Sequence, residues 1–138
     1  MAYQDIEDSR MYQRAERVAD RVWNIVITWD VFARDTIGAQ LARSIDSIGA
    51  NIAEGSGRYH INDVIRFCHF ARGSLRESRY WLKRAASRDL ITAQSHDQLI
   101  GELTTLAKEL NAYINFQRNR SLKETEFDYT FDNKSPIT

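Results

Sequence analysis

Apolar residues along this chain recur at steps of three and four, and the steps predict four helices. The first pattern runs from about Ser9 to Trp29, with Met11, Ala15, Val18, Val22, Ile25 and Trp29 on one face and Ser9 as a capping residue. The second runs from about Asp35 to Glu54 on the row Leu41, Ile45, Ile48 and Ile52. The third begins near Asn62, read as its N-cap, and holds Val64, Phe67, Ala71, Leu75, Ser78, Leu82 and Ala85 in register to about Arg88. The fourth starts at Thr92 or Ser95 and carries Leu99, Leu103, Leu106, Leu110 and Ile114 to about Arg120. Links of a few residues favour antiparallel neighbours. The predicted fold is all-α: an antiparallel, left-handed, up-down-up-down four-helix bundle over residues 9–120.

The second pattern differs from the others. Ala39, Ala42, Gly49, Ala50 and Ala53 surround its apolar row, and only Arg43, Asp46 and Glu54 are charged between Thr36 and Glu54. A helix so poor in charge is expected to be covered on more than one side, which predicts self-association. Gly55 and Gly57 follow it and are expected to end it in left-handed geometry.

Charge changes the picture of the ends. The 138 residues carry 19 basic and 19 acidic side chains. The acids concentrate in residues 1–8 and 121–138, read as an acidic N-terminal tail and an acidic, flexible C-terminal tail. Between them, 17 basic residues stand against 12 acidic ones. A moderately basic body has polyanions among its natural partners.

The bases are also ordered. Arg10, Arg14, Arg17 and Arg21 form a stripe on the first helix. His69, Arg72, Arg76, Arg79 and Lys83 form one on the third, with Arg66 and Arg84 beside it. Planar guanidinium groups in a row suit the phosphates of RNA or DNA. The same spacing equally fits arginines that reach acids on a neighbouring subunit, or a solvated face paired with Glu16, Asp20 and Glu77. The sequence leaves these three readings open. Trp23, Trp29, Trp81, Phe70 and Tyr80 suit core or subunit contacts, or base stacking beside the arginines.

Catalytic readings find little support. No Glu has a His three residues later, so the paired-metal pattern of helical bundles is missing. Ser95, His96 and Asp97 are consecutive, so they point different ways on a helix and make no nucleophilic triad. Gly55-Ser56-Gly57-Arg58 lacks the Lys-Ser/Thr ending of a phosphate loop. Cys68 beside Phe67 reads as a small apolar filler. Glu54 is expected to accept a bond from Arg58 or from donors at the next helix start, and Asn51 to satisfy buried backbone groups. Gly73-Ser74 lies mid-helix, where glycine costs about 1 kcal/mol, and predicts a close helix crossing. No cofactor, metal or membrane span is predicted, and cytoplasmic residence is the default for a chain with one cysteine and no secretory signal.

One joined motif is more specific. Ser47-Ile48 leads through Asn51-Ile52-Ala53-Glu54-Gly55 to Gly57-Arg58, followed by Arg66-Phe67 and then Ala71, Gly73-Ser74-Leu75 and Glu77. It resembles the helical-bundle proteins associated with intervening sequences in bacterial 23S ribosomal RNA genes, over roughly residues 10–118. Gly49 departs from the pattern, where many such proteins have proline. The resemblance implies a four-helix bundle, a closed ring of five copies and, for some members, nucleic-acid binding. It also extends to a group of related proteins, the accessory variability determinants, that assist the reverse transcriptases of diversity-generating retroelements. The expected function is therefore a non-enzymatic, self-assembling bundle that binds RNA or DNA. The alternative is an adaptor ring that presents itself to a protein partner such as a polymerase-like enzyme.

Overall fold

Four long helices follow one another in a computed structural model that describes residues 5–134, with side chains described to residue 126. A 3-10 turn, Ile6–Asp8, precedes α1, Arg10–Val26. The short α2, Val31–Ala33, continues through a π-helical segment, Arg34–Gly38, into α3, Ala39–Ser56. Then come α4, Ile61–Ser87, and α5, Ala93–Lys134. No strand occurs among the described residues.

The side-chain register gives the directions. Arg72 and Arg79 of α4 meet Asn111 and Thr104 of α5, so numbers rise on one helix as they fall on the other. Positions Gly38 and Gly49 face Val26 and Ala15 of α1 in the same descending order. Gly55 faces Phe67, and Ser44 bonds Ser78, which sets α3 antiparallel to α4. Each helix therefore packs on its sequence neighbours, and α5 closes the square against α1 through Arg14. The bundle is up-down-up-down.

The predicted rows form the core. Leu41, Ile45, Ile48 and Ile52 are each only 1% exposed, sealed by their own chain without help from a second copy. Leu99, Leu103, Leu106 and Leu110 are fully enclosed. What α3 leaves outside is small, polar or charged: Ala39, Gln40, Arg43, Asp46, Ala50, Glu54 and Ser56 are exposed.

Several boundaries differ from expectation, each for a local reason. Ser9 does cap α1, accepting from the Tyr12 N–H at 3.1 Å. That helix ends at Val26 rather than Trp29, because Asp30 caps the next one by accepting from the Ala33 N–H at 3.0 Å. Trp29 is buried in the turn between them. The second rod thus begins at Val31, before the expected Asp35. Helix α4 starts at Ile61 behind His60, so Asn62 lies inside it and is not the cap. Thr92 caps α5 through the Ser95 N–H at 3.1 Å.

Neither Gly55 nor Gly57 is left-handed. Gly55 is needed for proximity instead: a Cβ there would lie 2.7 Å from the Phe67 Cβ. The positive φ among the described residues belongs to Asp89, at 60°, between α4 and α5. There the Leu90 N–H reaches the Ala85 carbonyl at 2.9 Å and satisfies a helix-end acceptor.

The boundary expected at Arg120 is not a helix end, since α5 runs on to Lys134. By the Arg72–Asn111 register, the start of α4 lies level with about residue 122 of α5. About a dozen residues of α5, roughly 18 Å of helix, therefore stand beyond the end of α4.

Candidate nucleic-acid interface

The two arginine stripes have different fates, and carboxylates decide them. On α1, Arg14 reaches across to α5 and holds Glu109 at 2.6 Å and Glu102 at 2.7 Å. Its guanidinium pKa rises because it donates to both acids. Arg21 donates to Gln98, also on α5. Arg10 and Arg17 point outward and pair with no carboxylate among the described residues. Half of this stripe is spent holding α1 to α5. The acids expected to pair with it, Glu16 and Asp20, line a different surface.

The α4 stripe lies along the seam with α5, and none of its members meets a carboxylate among the described residues. Arg72 donates to Asn111 at 3.3 Å, and Arg79 to Thr104 at 2.9 Å. Both partners are neutral, so the charges stay uncompensated. The Arg79 Nε is buried without a partner. Arg76 and Lys83 are exposed. Arg118 of α5 adds a further cation, felt at His69.

His69 reports the local field. Its Nδ1 lies 2.9 Å from the Arg72 Nη2, so the ring accepts there as the neutral form. Burial, then Arg72 and Arg118, holds its pKa below the ordinary histidine value. The seam therefore carries positive potential with little to cancel it.

The opposite side of the bundle has the reverse sign. A cleft of about 230 Å³ between α1 and α3 is lined by Glu16, Asp20 and Asp46 over a floor of small residues. Burial and the nearby Asp20 raise the Asp46 carboxyl pKa. Negative charge thus gathers on the α1–α3 side and positive charge on the α4–α5 side.

The remaining motif residues serve structure. Arg58 donates to Glu54 at 2.8 Å, as the spacing predicts. The Arg58 guanidinium also sits 4.8 Å from the centre of the Phe67 ring, with Arg66 at 5.9 Å from the same centre. Arg66 lies 3.7 Å from Asp63, and Arg84 is half-buried in the last turn of α4, where a cation suits the carbonyl ends. Asn51 and Ser47 bond carbonyls of their own helix, from Ser47 and Arg43. The Trp81 indole N–H donates to Glu77 at 3.2 Å, which leaves that acid no role against the stripe.

Gly73 overturns one expectation. A Cβ there would meet nothing within 4 Å, so no helix crosses it inside the chain. Ser74 is half-buried, and its carbonyl accepts from Ser78 Oγ at 2.8 Å.

No group of three His, Cys, Asp or Glu among the described residues could hold a metal ion. His60 lies before α4, His69 within it and His96 on α5, so the three imidazoles share no site. Cys68 is 1% exposed, and burial pushes its thiol up to about 11.

Residues 7–112 match the 23S rRNA-intervening sequence protein family, most of the chain and all of the α3–α4 motif. The chain belongs to this family. Its fold is similar to a crystal structure from Bacteroides thetaiotaomicron, a protein with unknown function from the S23 ribosomal protein family. The TM-score is 0.68 at 25% identity, over 75% of this chain and 97% of that one. No curated protein matches. No helix among the described residues is long and apolar enough to cross a membrane.

Proposed function

We propose that this member of the 23S rRNA-intervening sequence protein family is a cytoplasmic, non-enzymatic protein that binds nucleic acid through the α4–α5 seam. One observation carries the reading: Arg72, Arg76, Arg79 and Lys83 run along one seam with no carboxylate partner among the described residues. Backbone phosphates would supply the missing counter-charge. Several copies side by side, as in the five-membered ring that the sequence resemblance implies, would multiply the contacts on one strand.

A mobility-shift titration with 40-nucleotide RNA and DNA tests this. If four phosphates are engaged, affinity falls about 100-fold between 50 and 200 mM salt. The Arg72→Ala/Arg76→Ala/Lys83→Ala variant should bind far more weakly while melting as the wild type does. No shift of the wild type at 50 mM salt would falsify the reading.

A second reading has its own observation. Gly73 is open to solvent on the outer face of α4, where Phe70 and Tyr80 are 50% and 54% exposed. A missing side chain flanked by exposed aromatics suits the close approach of another helix. This face favours an adaptor that seats copies of itself or a protein partner.

A further inference from the structure

We infer that the outer face of α5 enters the major groove of duplex DNA, an inference that rests on the nucleic-acid reading above and names its partner. The argument begins with what Arg14 removes. Between Gln98 and Lys123, α5 carries two carboxylates, Glu102 and Glu109, and both are drawn aside onto Arg14. The outward surface then includes, beside the exposed Phe116, a row of Gly101, Thr105, Lys108, Ala112, Asn115 and Asn119, all exposed. These follow helical steps on a single stripe. Lysine and asparagine are the side chains whose hydrogen bonds distinguish guanine and adenine edges in the major groove.

The flanks fit the same partner. On one side of α5 lie Arg72 and Arg76 of α4, and on the other lie Arg10 and Arg17 of α1. None of the four pairs with a carboxylate among the described residues. By the α1–α5 and α4–α5 registers, Arg10, Arg72 and Arg76 stand level with about residues 107–111 of α5 and Arg17 with about residue 102, on either side of Lys108. A helix whose neighbours present cations on both sides can reach base edges while both phosphate strands are neutralised.

Gly101 adds a geometric point. It costs about 1 kcal/mol in mid-helix relative to alanine. A Cβ there would touch nothing within 4 Å, so no packing inside the chain requires it. Close approach of a groove wall would. The major groove of B-form DNA admits an α-helix, whereas that of A-form RNA is too narrow.

The test starts from 20-base-pair DNA duplexes with randomised centres, selected over several rounds for binding to the full chain. Enriched duplexes should bind at least tenfold more tightly than RNA duplexes of the same sequence or either single strand. Replacing their purines by 7-deaza analogues, which lack the N7 acceptor, should cost about tenfold. Lys108→Ala and Asn115→Ala should abolish that deaza effect and leave the salt dependence unchanged. Selection without enrichment, or equal affinity for DNA and RNA duplexes, overturns the groove inference and leaves backbone binding standing. Absence of binding to every probe at 50 mM salt removes both.

Discussion

Arg14 on α1 and Glu109 on α5 lie 2.6 Å apart, with side chains 22% and 23% exposed, and the same guanidinium also holds Glu102. One arginine thus latches the first helix to the last and removes two negative charges from the surface of α5. Its loss should be felt twice. Arg14→Leu leaves two half-buried carboxylates facing each other and should cost about 1–2 kcal/mol, between the values for exposed and buried pairs. Thermal denaturation would show this as a drop of a few degrees. The same variant should bind nucleic acid more weakly than Arg21→Leu, whose partner Gln98 is neutral. Equal binding by the two variants would mean that the freed acids are irrelevant to the interface.

Two glycines of the motif should respond in opposite directions. At Gly55 a methyl group would sit 2.7 Å from the Phe67 Cβ and 3.3 Å from the Val64 carbonyl oxygen. Neither is the far end of a flexible chain, so α3 and α4 must move apart, and Gly55→Ala should cost about 1–3 kcal/mol. Gly73→Ala meets no atom and should stabilise the isolated chain by about 0.8–1 kcal/mol through helix propensity. Paired melting curves check both. Light scattering on Gly73→Ala adds a separate readout, because a partner helix seated on that face would be displaced and the assembly would shrink.

Cys68 should be silent in the native protein. It is 1% exposed, and its thiol is raised to about 11 by burial, so at pH 8 about one part in a thousand is thiolate. A thiol-reactive dye should label it only after denaturant unfolds the bundle. Rapid stoichiometric labelling without denaturant would contradict the packing around α4.

The core was legible because its signal is periodic. Leu41, Ile45, Ile48, Ile52 and the leucines of α5 announce their burial by spacing alone, and each is buried. The glycines are less legible because a glycine has two uses, unusual backbone angles and close approach, and the sequence does not distinguish them. Gly55 serves the second use, and the left-handed backbone falls instead at Asp89, at the end of a different helix, α4. The apolar row of the charge-poor α3 is sealed within one chain, and Ala39 and Ala50 are among what remains outside. As for the site, both stripes were visible, yet spacing could not say which one keeps its charge. That depends on Glu102 and Glu109, 88 and 95 residues away from Arg14 and brought to it only by folding.

His69 would give the proposed binding surface a pH signature. The groups that face it are cations, Arg72 from its own helix and Arg118 from α5, and with burial they hold its pKa below the ordinary value. In the free protein the unfolded chain therefore takes up its proton first. This histidine's contribution to stability is present above about pH 6.5 and declines as pH falls through that unfolded value. Phosphates arriving at Arg72 and Arg118 would cancel the two charges that depress it, so the pKa rises on binding and a proton is taken up. Affinity should then tighten severalfold between pH 7.5 and pH 6. The check is fluorescence anisotropy at both values for the wild type and for His69→Gln, which keeps hydrogen-bonding capacity and cannot titrate. The expected outcome is that the variant loses most of the pH dependence while binding at pH 7.5 stays within about twofold of wild type. An unchanged pH dependence in the variant would place the bound phosphates away from the α4–α5 seam.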